Sequence, residues 1–71
     1  MKLDPRAFGD RMKEARRRKG LFQREASESL GFDQRHWTRY ERGVVLPKVE
    51  RLIDIAVALD VTVDWLLLGD R

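Results

Sequence analysis

The sequence predicts an all-α fold, a compact bundle of five short helices with a helix-turn-helix formed by helices 2 and 3. Three observations carry that prediction. No stretch alternates apolar and polar residues with a period of 2. Apolar residues instead recur at helical spacing almost from end to end, and residues that start or stop helices divide the chain at regular points.

Asp4 followed by Pro5 marks the first start, because a proline at the first helical position lacks only an N–H that would have had no intrahelical partner. Gly20 marks the stop, so helix 1 covers about Pro5–Lys19, with Phe8, Met12 and Ala15 facing inward. Helix 2 runs about Gln23–Leu30 and ends at Gly31, with Ala26, Ser27 and Leu30 inward. Asp33 then caps helix 3, about Gln34–Arg42, which ends at Gly43 and buries Trp37 and Tyr40. After Pro47, the residues Val49, Leu52, Ile53, Ala56 and Leu59 form the inward stripe of helix 4. Thr62 caps a last short helix, Val63–Leu68, closed by Gly69.

Composition narrows the function. A chain of 71 residues is one domain, near the smallest that a single core supports without a staple. With no cysteine, disulfides and thiolate metal sites are excluded; with one histidine, a metal site or histidine-based nucleophile lacks partners, so no cofactor and no metal are expected. No carboxylate pair, nucleophile–base pair or phosphate loop can be assembled, so the chain is not read as an enzyme. The longest apolar runs, Ile55–Leu59 and Trp65–Leu68, fall far short of the ~20 residues a membrane span needs, and the charged, Pro- and Gly-broken start does not resemble a leader. The expectation is a soluble cytoplasmic protein. The net charge of +3 is uneven: residues 1–20 carry +5, residues 21–43 carry 0 and residues 44–71 carry −2. A basic front and an acidic, apolar back point to a polyanion on one side and packing on the other.

The informative stretch is QREASESLGFDQRHWTRYER, residues 23–42. Two short helices meet at Gly31 with about three residues between them, which forces a steep crossing and a positive φ at the glycine. Ser27 supplies the small residue that close approach requires, and Trp37 with Tyr40 supplies the buried face of helix 3. Opposite them Arg35, Arg39 and Arg42 repeat at i, i+4 and i+7, flanked by Gln34 and Thr38. Such a row suits the major groove of double-stranded DNA, where Arg pairs with guanine O6/N7 and Gln with adenine N6/N7.

Further stretches place the chain in a family. FGxRMKEAR from Phe8, GLxQ ending at Gln23, LGFD at residues 30–33, YERG at residues 40–43, LIDIAVALDV from Leu52 and VDWLLLG from Val63 together resemble the lambda-repressor/Cro-like (XRE) helix-turn-helix DNA-binding proteins, over about Phe8 to Gly69. The resemblance implies roles. Gln34, Arg35 and Arg39 stand where base contacts are made, while Gln23 looks like a glutamine that touches phosphate and braces the start of helix 3. Thr38, Arg42 and Lys48 are further candidates for phosphate, and His36 is a candidate side contact to DNA or simply exposed. Arg16 and Glu41 match an ion pair joining helix 1 to the end of helix 3.

Departures accompany the match. Phe22 replaces the usual Ser, Thr or Asn cap of helix 2, leaving Glu25 to serve the helix start. Ala26 is small where the family is large, and Phe32 and Trp37 are large where it is smaller, which reads as a repacking at conserved volume. Asp33 adds a negative charge near the expected phosphate path, and Val44, Val45 and Leu46 stand where Lys or Arg is common. Arg17, Arg18 and Lys19 are read as compensating the end of helix 1. The favoured reading is a transcriptional regulator, a repressor acting as a homodimer on a near-palindromic operator, with no small-molecule ligand expected. The acidic, apolar end of the chain is the surface available for the subunit contact, with Val63, Trp65 and Leu67 expected there. Two alternatives stand beside it: an antitoxin or controller-type regulator with a protein partner, and a helix-turn-helix used only for protein interaction.

Overall fold

The computed structural model describes residues 3–70, and among them every regular element is helical. The elements are α1 (Pro5–Arg18), α2 (Gln23–Ser29), α3 (Gln34–Glu41), α4 (Val49–Leu59) and α5 (Val63–Leu68). Their ends follow local chemistry. The Asp4 carboxylate accepts from the N–H groups of Arg6 and Ala7, Asp33 accepts from Arg35 N–H, and the Thr62 hydroxyl accepts from Trp65 N–H. Lys19, Leu30 and Arg42, the last expected residues of helices 1, 2 and 3, are instead their C-caps. α4 stops where Asp60 takes a left-handed conformation (φ 59°), which a short polar side chain tolerates.

α1 is the central strut, packing against both α3 and α5, while α2 packs on α3 and α4 on α5. The core is Phe8, Met12 and Ala15 from α1, Ala26 from α2, Trp37 and Tyr40 from α3, Leu52, Ile55, Ala56 and Leu59 from α4, and Leu66 from α5. One part departs from expectation. Val49 and Ile53, expected inward, are 70% and 48% exposed, and Ile55 is fully buried in their place. Apolar residues surround this helix on most sides, so helical periodicity alone admits both orientations; contact with α5 selects the face Leu52, Ile55, Ala56, Leu59.

Gly9 explains how closely α1 lies on α3. A β-carbon there would fall 2.7 Å from the Tyr40 carbonyl oxygen and closer still to that of Glu41, both backbone atoms. Only a residue without a side chain fits.

Candidate nucleic-acid interface

Gly31, at φ +75°, turns the chain between α2 and α3 as its position predicts. The inner face of α3 is then fixed from several directions. Trp37 and Ser27 are fully buried, and Phe32 stacks on Trp37 with ring centroids 5.9 Å apart and meets the Tyr40 ring edge-on at 6.3 Å. The Arg51 guanidinium lies 4.3 Å above Phe32 and donates to the Tyr40 hydroxyl, tying α4 to the same aromatic group. Trp37 and Ala26 belong to the same buried core, and Phe32 packs against it.

At the end of α3 sits a buried carboxylate, Glu41. Arg16 donates to it through Nε (2.6 Å) and Nη2 (3.1 Å), Gln23 through Nε2 (2.9 Å), and Trp37 through its indole N–H. The third Arg16 nitrogen, Nη1, donates to the Leu21 carbonyl, so the pair stitches α1, the α1–α2 turn, α2 and α3 together. Burial pushes the Glu41 carboxyl up, but the hydrogen bonds from Arg16, Gln23 and Trp37 and the Arg16 charge outweigh it and hold the carboxyl below its ordinary value.

Gln23 is placed differently from expectation. Its Oε1 accepts from the Thr38 hydroxyl at 2.9 Å while Nε2 donates to Glu41, so it braces the second half of α3 and not its start. Because Glu41 only accepts, the amide orientation is fixed and Thr38 must be the donor in its bond. The Thr38 hydroxyl hydrogen is therefore committed to Gln23, whereas Nε2 of Gln23 keeps one N–H. That amide borders a polar cleft lined also by Arg6, Asp10, Lys13, Glu41 and Arg42. Sequence reading missed Arg6 and Lys13. They lie on one face of α1, seven positions apart, and only the packing of α1 on α3 brings that face beside Arg42.

The outer face of α3 is open. Gln34, Arg35, His36, Arg39 and Arg42 are all exposed. The Arg35 side chain is engaged with the cap residue, its guanidinium donating to both Asp33 oxygens. His36 and Arg39 border a groove whose other walls include Phe32, Tyr40, Leu46, Lys48 and Arg51. Phe22 is 76% exposed and offers α2 no side-chain cap; Glu25 reaches back to accept from Phe22 N–H at 2.8 Å. In the loop after α3, Val44 and Val45 stay exposed (57% and 41%), while Leu46 is half-buried and Pro47 buried.

Val63, Trp65 and Leu67 are half-buried and packed against the core, with Leu66 fully inside. The Arg18 guanidinium, paired with Glu14 at 2.6 Å, lies 5.9 Å over the Trp65 ring. Arg11 donates to the Leu66 and Leu67 carbonyls and so satisfies the end of α5. Among the described residues there is no cluster of side chains able to hold a metal ion, and no helix is long and apolar enough to cross a membrane.

The model of a helix-turn-helix domain family matches residues 7–66. Among curated proteins of Bacillus subtilis (strain 168), the uncharacterized HTH-type transcriptional regulator YqaE is 36% identical over 63 residues, covering 89% of this chain and 54% of that protein. The HTH-type transcriptional regulator ImmR is 34% identical over 65 residues, covering 92% of this chain and 51% of that protein. The chain thus spans about half the length of the curated relatives it matches. Among solved structures, the P22 c2 repressor protein in complex with a synthetic operator superposes with a TM-score of 0.85 at 27% identity, covering 89% of this chain and 96% of that one. With five helices, a tight turn between α2 and α3, and an α3 whose inner face is locked and outer face cationic, the chain belongs to the lambda-repressor-like (XRE) family of helix-turn-helix DNA-binding domains.

Proposed function

We propose that this protein is a sequence-specific DNA-binding transcriptional regulator, a cytoplasmic repressor that acts as a homodimer on a near-palindromic operator. One observation carries the reading: α3 is immobilised on its inner face by Trp37, Tyr40 and Glu41 and leaves Gln34, Arg35 and Arg39 exposed on the other. A helix so held can enter the major groove as a rigid body, so little is lost in ordering it on binding. Arg35 and Arg39 then meet guanine edges and Gln34 an adenine. Gln23, through its remaining amide N–H, Arg42 and Lys48 contact phosphates, joined by Arg6 and Lys13 around the same cleft as Gln23. Thr38 serves that side by holding the Gln23 amide. His36 flanks the groove beside α3.

One helix-turn-helix reads too few base pairs to be selective against a genome, and two-fold symmetry with recognition helices about 34 Å apart doubles the site. Val63, Trp65 and Leu67 supply the subunit contact. Exposure of Val44 and Val45, where a cation would otherwise meet phosphate, favours a protein partner as the second reading.

Selection of bound duplexes from a random pool, followed by salt titration, tests both. A DNA regulator yields a consensus and an affinity that falls steeply and log-linearly with salt. Arg39→Ala then lowers affinity for the consensus by about 1–3 kcal/mol and relaxes one base position, whereas Arg42→Ala weakens all sequences alike. Recovery of no consensus, with weak binding insensitive to salt, overturns the proposal.

A further inference from the structure

The residue before α3 does more than cap it. Asp33 Oδ1 accepts from Arg35 N–H at 2.8 Å and also from Arg35 Nε at 3.2 Å, while Oδ2 accepts from Nη2 at 3.0 Å. The two side chains therefore meet along one edge of the guanidinium, in a paired geometry that fixes its plane. An arginine has five N–H groups, and this contact uses Nε–H and one hydrogen of Nη2. The other edge, Nη1–H with the second Nη2–H, remains free as two parallel donors, the pattern that matches guanine O6 and N7. The Arg35 side chain is 89% exposed, and among the described residues only this carboxylate holds it.

The geometry points to Asp33 as a positioning and specificity-determining residue, one that presents the free edge of Arg35 to a guanine in the major groove. The inference rests on the reading of α3 as the base-contacting helix. Asp33 itself touches no base; it acts through Arg35. The contact holds the Asp33 carboxyl below its ordinary value, chiefly through the Arg35 side-chain hydrogen bond and then the backbone one, so the buttress stays charged at neutral pH. Its negative charge also opposes close approach to phosphate. Asp33 thereby lowers affinity for DNA in general while sharpening the choice of one base pair, because an arginine already held in one plane loses less freedom on pairing and tilts less readily to other acceptors.

The test compares wild type, Asp33→Ser, Arg35→Ala and the double variant on the selected duplex and on duplexes changed at each base pair. Serine retains an N-cap acceptor but no charged, two-oxygen face. Asp33→Asn, which keeps the Oδ1 acceptor, serves should the serine variant unfold, and thermal melting verifies each fold. The expected result is that Asp33→Ser reduces discrimination at one G·C pair roughly 3–10-fold, the range set by ordering one long side chain. It binds random-sequence DNA at least as tightly as wild type. Arg35→Ala loses preference at that same pair, and the double variant loses no more than Arg35→Ala alone. If Arg35→Ala relaxes one position while Asp33→Ser and Asp33→Asn leave it unchanged, the positioning role is wrong and Arg35 reads its base unaided. Tighter binding to every sequence at unchanged preference would reduce Asp33 to an electrostatic brake and also overturn it. If Arg35→Ala changes no preference, the failure lies instead in the assignment of Arg35 to a base.

Discussion

Replacing Glu41 by glutamine removes one charge and one acceptor from the most connected buried side chain among the described residues. Its carboxylate accepts four hydrogen bonds, two on each oxygen: Arg16 and Gln23 on Oε1, Arg16 and Trp37 on Oε2. Whichever oxygen becomes NH2, two donors face a donor, and Arg16, only 8% exposed, loses its counter-charge. Breaking one partner of a buried pair costs about 3–5 kcal/mol. A 71-residue domain has roughly 4–10 kcal/mol in total, at 0.05–0.15 kcal/mol per residue, so Glu41→Gln removes much of it. Urea unfolding followed by circular dichroism and tryptophan fluorescence measures the loss, which corresponds to a Tm lower by on the order of 12–40 °C. The same group sets the acid limb. Its folded-state pKa lies below the ordinary value near 4.5, so its stabilisation is complete above that value and is lost as pH falls through the folded pKa. Wild type should therefore lose stability as the medium is acidified below about 4.5, with a steeper pH dependence than Glu41→Gln. A loss under 1 kcal/mol for the variant, or identical acid limbs, would refute the view that this carboxylate holds α1, α2 and α3 together.

Other expectations follow from single positions. Phe22→Ser should stabilise by about 0.5–2 kcal/mol by supplying the absent cap of α2, with DNA preference unchanged; a lower Tm would show that the exposed ring contributes packing. Gly9→Ala should cost several kcal/mol, on the order of other overpacked sites, because the new methyl meets two carbonyl oxygens of the α3 backbone; an unchanged urea midpoint would show that α1 can move away. Trp65→Glu should lower Tm somewhat, since the ring packs on the core, and reduce affinity for a full palindrome far more than for a half-site; equal losses on both DNAs would remove α5 from the subunit contact.

The sequence by itself determined the elements and their order. Caps at Asp4, Asp33 and Thr62 and the turn at Gly31 act through atoms a few residues away, so they are legible without a fold. The separation of Trp37 and Tyr40 from the arginines of α3 is equally local, because a 3.6-residue period puts them on opposite faces. Only the tertiary structure decided which side of α4 is buried, since its apolar residues permit more than one face and the neighbouring helix selects one. It also decided what Gln23 holds: the sequence marks a polar residue at the start of α2, but its partners Thr38 and Glu41 lie 15 and 18 residues away and meet it only when α2 crosses α3. The same holds for Gly9, whose necessity comes from the backbone of a helix more than 30 residues distant, and for the gathering of Arg6 and Lys13 beside Arg42. Local sequence fixes periodicity and capping, because those depend on covalent neighbours; the partners of a side chain depend on helix crossing, which the whole core sets by close packing.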